Sequence, residues 1–215
     1  MEPEDTGERN SDNESMSHKK TRSDGRGLPS SFWLWGLCLL LCLWALGLCL
    51  SCNPWQDNLT GLVWIDHKWM SAGGFIPFAC LFNACLTDRV FRQCEETRLA
   101  RLSLLFWGIG WIGAWLPWQD VSVNLLWGLL SSLHLFLCPL AFGGILLLWL
   151  YAALSWTSSR AFRQAAQGMI GIAAGSLALM AFSQSVSLYC ELFFLCASPV
   201  YLVWKIRTFS RDAGS

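Results

Sequence analysis

Residues 54–64 read Pro-Trp-Gln-Asp-Asn-Leu-Thr-Gly-Leu-Val-Trp, and residues 117–127 read Pro-Trp-Gln-Asp-Val-Ser-Val-Asn-Leu-Leu-Trp. Six of the eleven positions match without a gap: Pro54/Pro117, Trp55/Trp118, Gln56/Gln119, Asp57/Asp120, Leu62/Leu125 and Trp64/Trp127. Each copy follows a long apolar run, so each reads as the polar turn at which a membrane hairpin doubles back. Self-similarity of this kind points to a fold built from repeated units. Gln184, Val186 and Ser187 echo Gln119, Val121 and Ser122, a trace of a third copy.

Composition agrees with a membrane setting. Of 215 residues, 54% are hydrophobic and only 14% charged, with 14 tryptophans among them. Long uncharged apolar runs of this kind belong in a bilayer. Working outward from the repeat, apolar spans fall at about 32–52, 70–86, 102–116, 124–149, 167–182 and 188–204. Prolines 77, 139 and 199 lie inside the second, fourth and sixth. The expected fold is all-α: a polytopic membrane protein of six transmembrane helices arranged as hairpin repeats. A polar tail, residues 1–31, is expected to be disordered. The membrane domain then covers 32–207, and a short tail 208–215.

Charge placement orients this domain. Fourteen of the fifteen Lys and Arg fall on one side of the six-span arrangement, and Lys68 alone falls on the other. The positive-inside rule places both termini in the cytoplasm and both Pro-Trp-Gln-Asp turns outside, at the cell membrane. The zero formal net charge gives no basic footprint for nucleic acid. Membrane lipid is the expected partner, with protein partners or a homo-oligomer also open.

Polar groups inside spans are costly, so they are the candidates for function. His134 falls about ten residues into the fourth span, roughly 15 Å deep and near the midplane. Asn124, Trp127, Ser131, His134 and Cys138 share one helical stripe. His134 with Ser131 is either a hydrogen-bonding strut or part of a ligand site. Glu191, at the outer end of the sixth span, either reaches the headgroups or faces the same cavity. Asp57 and Asp120 stand where a carboxylate can cap the following helix; as a pair they could also hold a cation or an amine.

Most cysteines fall within apolar runs and read as small hydrophobes; Cys52 and Cys190 fall at one face, where a disulfide is open. Asn58-Leu59-Thr60 is a glycosylation sequon on the outer side. No metal site is expected. Three histidines are present in all, one of them His18 in the tail, too few to hold zinc in a histidine-rich hydrolase. No phosphate loop, nucleophile elbow or other cofactor motif is present.

The six-span layout with a polar outer first loop, and Pro-Trp-Gln-Asp leading into Ser131-Ser132-Leu133-His134, resembles the DRAM-like (damage-regulated autophagy modulator) membrane proteins and their bacterial relatives. The resemblance covers roughly residues 32–207. It implies a non-enzymatic integral membrane protein that senses or organises lipid or partner proteins. A small transporter with a polar site near His134 is the alternative, and an intramembrane enzyme the third.

Overall fold

The computed structural model describes residues 31–117, 125–155 and 159–212. The tail 1–30 and Asp120 with its neighbours lie outside the described residues. The elements are α1 (Ser31–Leu50), α2 (Leu59–Trp64), α3 (Ala72–Gln93), α4 (Thr97–Trp115), α5 (Leu125–Leu154), α6 (Arg160–Ser183) and α7 (Leu188–Asp212). Five of them, α1, α3, α5, α6 and α7, are long and apolar enough to cross a membrane. These are the helices of a polytopic membrane protein. Leucines and aromatics exposed along them are what hydrocarbon can solvate.

The helices run past their apolar runs. α3 continues to Gln93 and α7 to Asp212, about two turns beyond the expected span ends at 86 and 204. Backbone hydrogen bonding carries a helix on after its side chains have left the hydrocarbon. The remaining long helix, α4, carries Arg98 and Arg101 in its first turns and gives many later positions to Gly and Trp. That composition keeps it out of the group of five.

Two ends can be distinguished. At one, which we call the turn end, lie the α1–α3 connection with α2 and the α6–α7 turn. At the other, the basic end, lie the start of α1, the α3–α4 turn, the start of α6 and the last turns of α7. α3 is the central helix, packed against α1, α4 and α7, with α2 across its start. α1 buries Leu34, Cys38, Leu41, Ala45 and Leu48, at steps of three and four, mainly against α7. Near the basic end, Phe91 of α3, Trp149 of α5 and Phe162 of α6 pack ring to ring, with Phe91–Trp149 centroids 4.6 Å apart. In the α6–α7 pair, Gly168 sits under the Tyr201 ring and Gly175 against Phe193. A Cβ at either place would require the Tyr201 or the Phe193 ring to move.

Prolines set the polar chemistry of the interior. Pro199 of α7 has no N–H, so the Leu195 carbonyl, four residues before it, loses its helical donor. Asn83 of α3, fully buried, donates from Nδ2 to that carbonyl at 3.1 Å and to its own Ala79 carbonyl at 2.9 Å. Neighbouring helices commonly repair a proline gap in this way.

The thiols of Cys52 and Cys190 are free; each points back to a carbonyl of its own turn, Leu48 and Ser187. Within the sequon, Asn58 caps α2 through its Oδ1 and Thr60 is buried.

A double-mutant cycle tests the proline repair. Asn83→Ala should destabilise the folded protein by about 0.5–1.7 kcal/mol, the range for interhelical bonds in membranes. In a Pro199→Ala background, the backbone N–H restored at that position can reach the Leu195 carbonyl itself, and the same change should cost clearly less. Equal costs in unfolding titrations from detergent would separate Asn83 from the proline.

Candidate functional site

The polar side chains singled out in the sequence collect at the turn end, where helix termini leave backbone groups without partners. α4 ends at Trp115, and the residue four beyond Gly113 is Pro117, which has no N–H to give. His134 of α5 answers: its Nδ1 lies 2.8 Å from the Gly113 carbonyl and donates to it. That bond puts the proton of the neutral ring on Nδ1. Leu116 N–H also reaches the Gly113 carbonyl at 3.1 Å. The next carbonyl, Ala114, accepts from the Thr60 hydroxyl of α2 at 3.4 Å.

The close approach that makes the His134 bond possible depends on glycine. A Cβ on Gly113 would stand 3.0 Å from Cys138 Sγ and 3.1 Å from Leu137 Cβ, and one on Gly110 would stand 3.2 Å from Ala141 Cβ. Cys138 Sγ is 3.8 Å from His134 Nδ1 on the same stripe, and Ser131, one turn earlier, is buried. The stripe therefore faces α4.

Glu191 is in the first turn of α7 and accepts from Leu59 N–H, at the start of α2, at 2.7 Å. The first repeat copy reciprocates. Asp57 carbonyl accepts from Leu188 N–H at 2.6 Å, and Pro54 carbonyl from Tyr189 N–H at 3.3 Å. Two helix starts thus satisfy each other's free donors across 132 residues of sequence. Trp55 covers the joint, its ring centroid 4.5 Å from Tyr189 and 5.6 Å from Phe182.

Asp57 does not cap the following helix as its position suggests. Its carboxylate accepts from Asn53 N–H at 2.8 Å, closing its own turn, and Asn58 is the N-cap, accepting from Gly61 N–H at 2.7 Å. Asn is as good a cap as Asp and stands one residue nearer the helix. Asp120, the other aspartate of the expected pair, lies outside the described residues.

The two copies of the repeat differ and also touch. The first folds into its own short helix, α2, while Leu125–Trp127 of the second form the first turn of α5. Trp64 and Trp127, matched positions, pack edge to face at 6.0 Å. Trp69 joins Trp64 at 4.7 Å and Trp115 at 6.2 Å. Among the described residues no group of three or more His, Cys, Asp or Glu is placed to hold a metal.

One feature was not legible in the sequence. α1 and α6 both flank α7 but share no substantial interface, leaving a lateral groove of about 420 Å³ with α7 as its floor. Cys42, Leu46, Leu179, Phe193 and Cys196 line it, and Trp55 stands at its turn end. It is nearly all apolar. His134 and Ser131 line neither this groove nor the small closed void between α5, α6 and α7. Also unforeseen is a polar seam in the core: Asn83 Oδ1, Thr87 Oγ1 and Ser198 Oγ, on α3 and α7, are buried with no partner among the described residues. Comparison with protein-family models, curated proteins and solved structures finds no match.

The His134 bond makes a graded prediction. His134→Gln, which keeps a donor, should retain most stability, while His134→Leu should cost roughly 1–2 kcal/mol. Both should leave any pH dependence of the protein's behaviour unchanged, because the ring serves as a neutral strut. A loss of function in both variants with unchanged unfolding in detergent would instead make His134 a ligand or proton site.

Proposed function

We propose that the chain is a six-span, non-enzymatic integral membrane protein that organises or senses lipid, in the manner the DRAM-like resemblance implies. The observation that carries this is the lateral groove between α1 and α6. It is apolar, of a size within the ~300–1,000 Å³ of ligand pockets, and formed by helices long enough to lie in hydrocarbon. An acyl chain fits both its chemistry and its surroundings. Trp55 and Tyr189 at its turn end are the residue types that sit at headgroup level. The transport reading draws little from this geometry, since the His134 ring is bonded to Gly113 and neither described cavity reaches it.

The sixth span in this reading is α4. Nineteen residues at 1.5 Å give a length of about 28 Å, close to the hydrocarbon thickness. It packs along α3 and α5, both long enough to cross. Its start faces the basic end, where Arg98 and Arg101 can reach the interface. With six spans, both termini are cytoplasmic, and the hairpins α1–α3, α4–α5 and α6–α7 each carry a proline in the second helix. The edge-to-face pair Trp64–Trp127 supports a repeat whose two copies meet. The membrane we assign is the cell membrane.

Two experiments test this. Filling the groove from its rims, with Leu46→Trp and Leu179→Trp, should lower severalfold the lipid that stays bound through detergent purification, read by native mass spectrometry, without lowering the melting temperature. Retention equal to wild type would remove the groove as a lipid site. For topology, a cysteine placed at Gln93 in a background lacking reactive thiols should resist an impermeant reagent in intact cells and react after permeabilisation. Labelling from outside would reverse the orientation.

A further inference from the structure

The basic end of the bundle carries charge that the fold does not use. Arg98 and Arg101 at the start of α4, Arg160 and Arg163 at the start of α6, and Arg207 near the end of α7 are all exposed. Two ion pairs are formed among the described residues, and neither uses any of these five. Lys68–Asp66 is at the turn end, and Arg92 is held by Asp88 within α3. Lys205 is turned inward over the Trp204 ring at 4.7 Å. The described carboxylates at this end are Asp88, already paired, and Glu95 and Glu96 in the α3–α4 turn. Placing Arg98 and Arg160 at helix starts also sets them against the positive end of the helix dipole, which costs a few tenths of a kcal/mol or more. A counter-anion relieves that cost.

α1 begins at this same end, at Ser31. The chain before it carries Glu2, Glu4, Asp5, Glu8, Asp12 and Glu14 against a single arginine, Arg9, up to residue 17. Residues 18–30, which carry Lys19, Lys20, Arg22 and Arg26 against Asp24, separate that acidic stretch from α1. Thirteen residues span at most ~45 Å when fully extended, enough for the acidic stretch to reach across the end of a helical bundle. Tethering at this distance gives an effective concentration in the millimolar range, so weak electrostatic contact suffices.

We propose that the acidic stretch 2–17 docks on the arginine face at the basic end, as an intramolecular ligand competing there with anionic lipid headgroups. The opposite charges, the tether and its point of attachment carry this; which side of the membrane the end faces does not enter. It therefore stands or falls separately from the lipid groove. Docking shields the arginines, and a surface rich in anionic lipid exposes the tail by taking its place.

The test uses the full chain in nanodiscs of phosphatidylcholine, with glutamyl endopeptidase cutting at Glu8 and Glu14 followed by mass spectrometry. At low salt the wild-type tail should be cut severalfold more slowly than in Arg98→Glu/Arg101→Glu. The difference should vanish near 1 M salt, where the screening length is ~3 Å. Arg98→Lys/Arg101→Lys should keep the protection, because charge and not fork geometry holds the tail. If the reversal variant fails to fold, Asp5→Asn/Asp12→Asn leaves the membrane domain untouched and should release the tail as well. Phosphatidylserine in the disc should speed cutting of the wild type. Equal cutting of wild type and the released variants at low salt, or protection that persists at 1 M salt or in phosphatidylserine, would overturn the proposal.

Discussion

A buried helix carbonyl that loses its N–H partner needs another donor, and two carbonyls of this fold find one on a neighbouring helix. Pro199 frees Leu195, and Asn83 on the central helix takes it. Pro117 has no N–H for Gly113, whose carbonyl instead accepts from Leu116 N–H and from His134 Nδ1. An unanswered backbone group in hydrocarbon costs several kcal/mol, more than apolar packing between helices in lipid easily recovers. The two side chains therefore fix how α3 meets α7 and how α4 meets α5. Glycine at 113 follows from the same constraint, since the imidazole can reach only if the backbones come close.

The turn end extends this logic to helix termini. Glu191 answers Leu59, the Pro54 and Asp57 carbonyls answer Tyr189 and Leu188, and Asn58 answers Gly61. These contacts tie the α1–α3 connection to the α6–α7 turn. Trp55 then closes the joint and, in the same position, bounds the groove. The duplicated Pro-Trp-Gln-Asp supplies much of this hardware, but to different ends. In the first copy it lends backbone carbonyls to another hairpin, while the second contributes through Pro117 and through Trp127 against Trp64.

Five of the long helices could be read from hydropathy because burial in lipid leaves a long apolar run with few charges; α4, with Arg98 and Arg101, does not meet that standard. Which face of each helix turns inward could not. Leu34, Cys38, Leu41, Ala45 and Leu48 of α1 are buried, yet Leu39, Leu40, Leu43 and Leu46 beside them face outward. Lipid and protein interior are equally apolar, so the pattern carries no moment to read. α2 was hidden by its six-residue length, although Asn58 ahead of an apolar run is a capping signal. His134 stood out as a histidine in mid-span, and Pro117 four residues after Gly113 marked the carbonyl it would meet; only their pairing needed the fold. Glu191 and Leu59 gave no such sign, because nothing local announces a contact across 132 residues. The groove is the extreme case: it exists because two helices fail to meet.

The two ends of the bundle consequently differ in what they have left to offer. At the turn end, Asp57, Asn58, His134 and Glu191 are taken up by the fold's own backbone, and substitutions there act first on stability. At the basic end the arginines close no helix and cap no turn, so changing them leaves the packing of Phe91, Trp149 and Phe162 beneath them intact. Between the ends, the groove is bounded by α1 and α6, which share no substantial interface, while α6 is held to α7 by Ser176 on the Cys190 carbonyl at 2.7 Å and Tyr201 on the Gln164 carbonyl at 2.9 Å. The parts of the described structure not already committed to holding the helices together are the groove wall and the charged face.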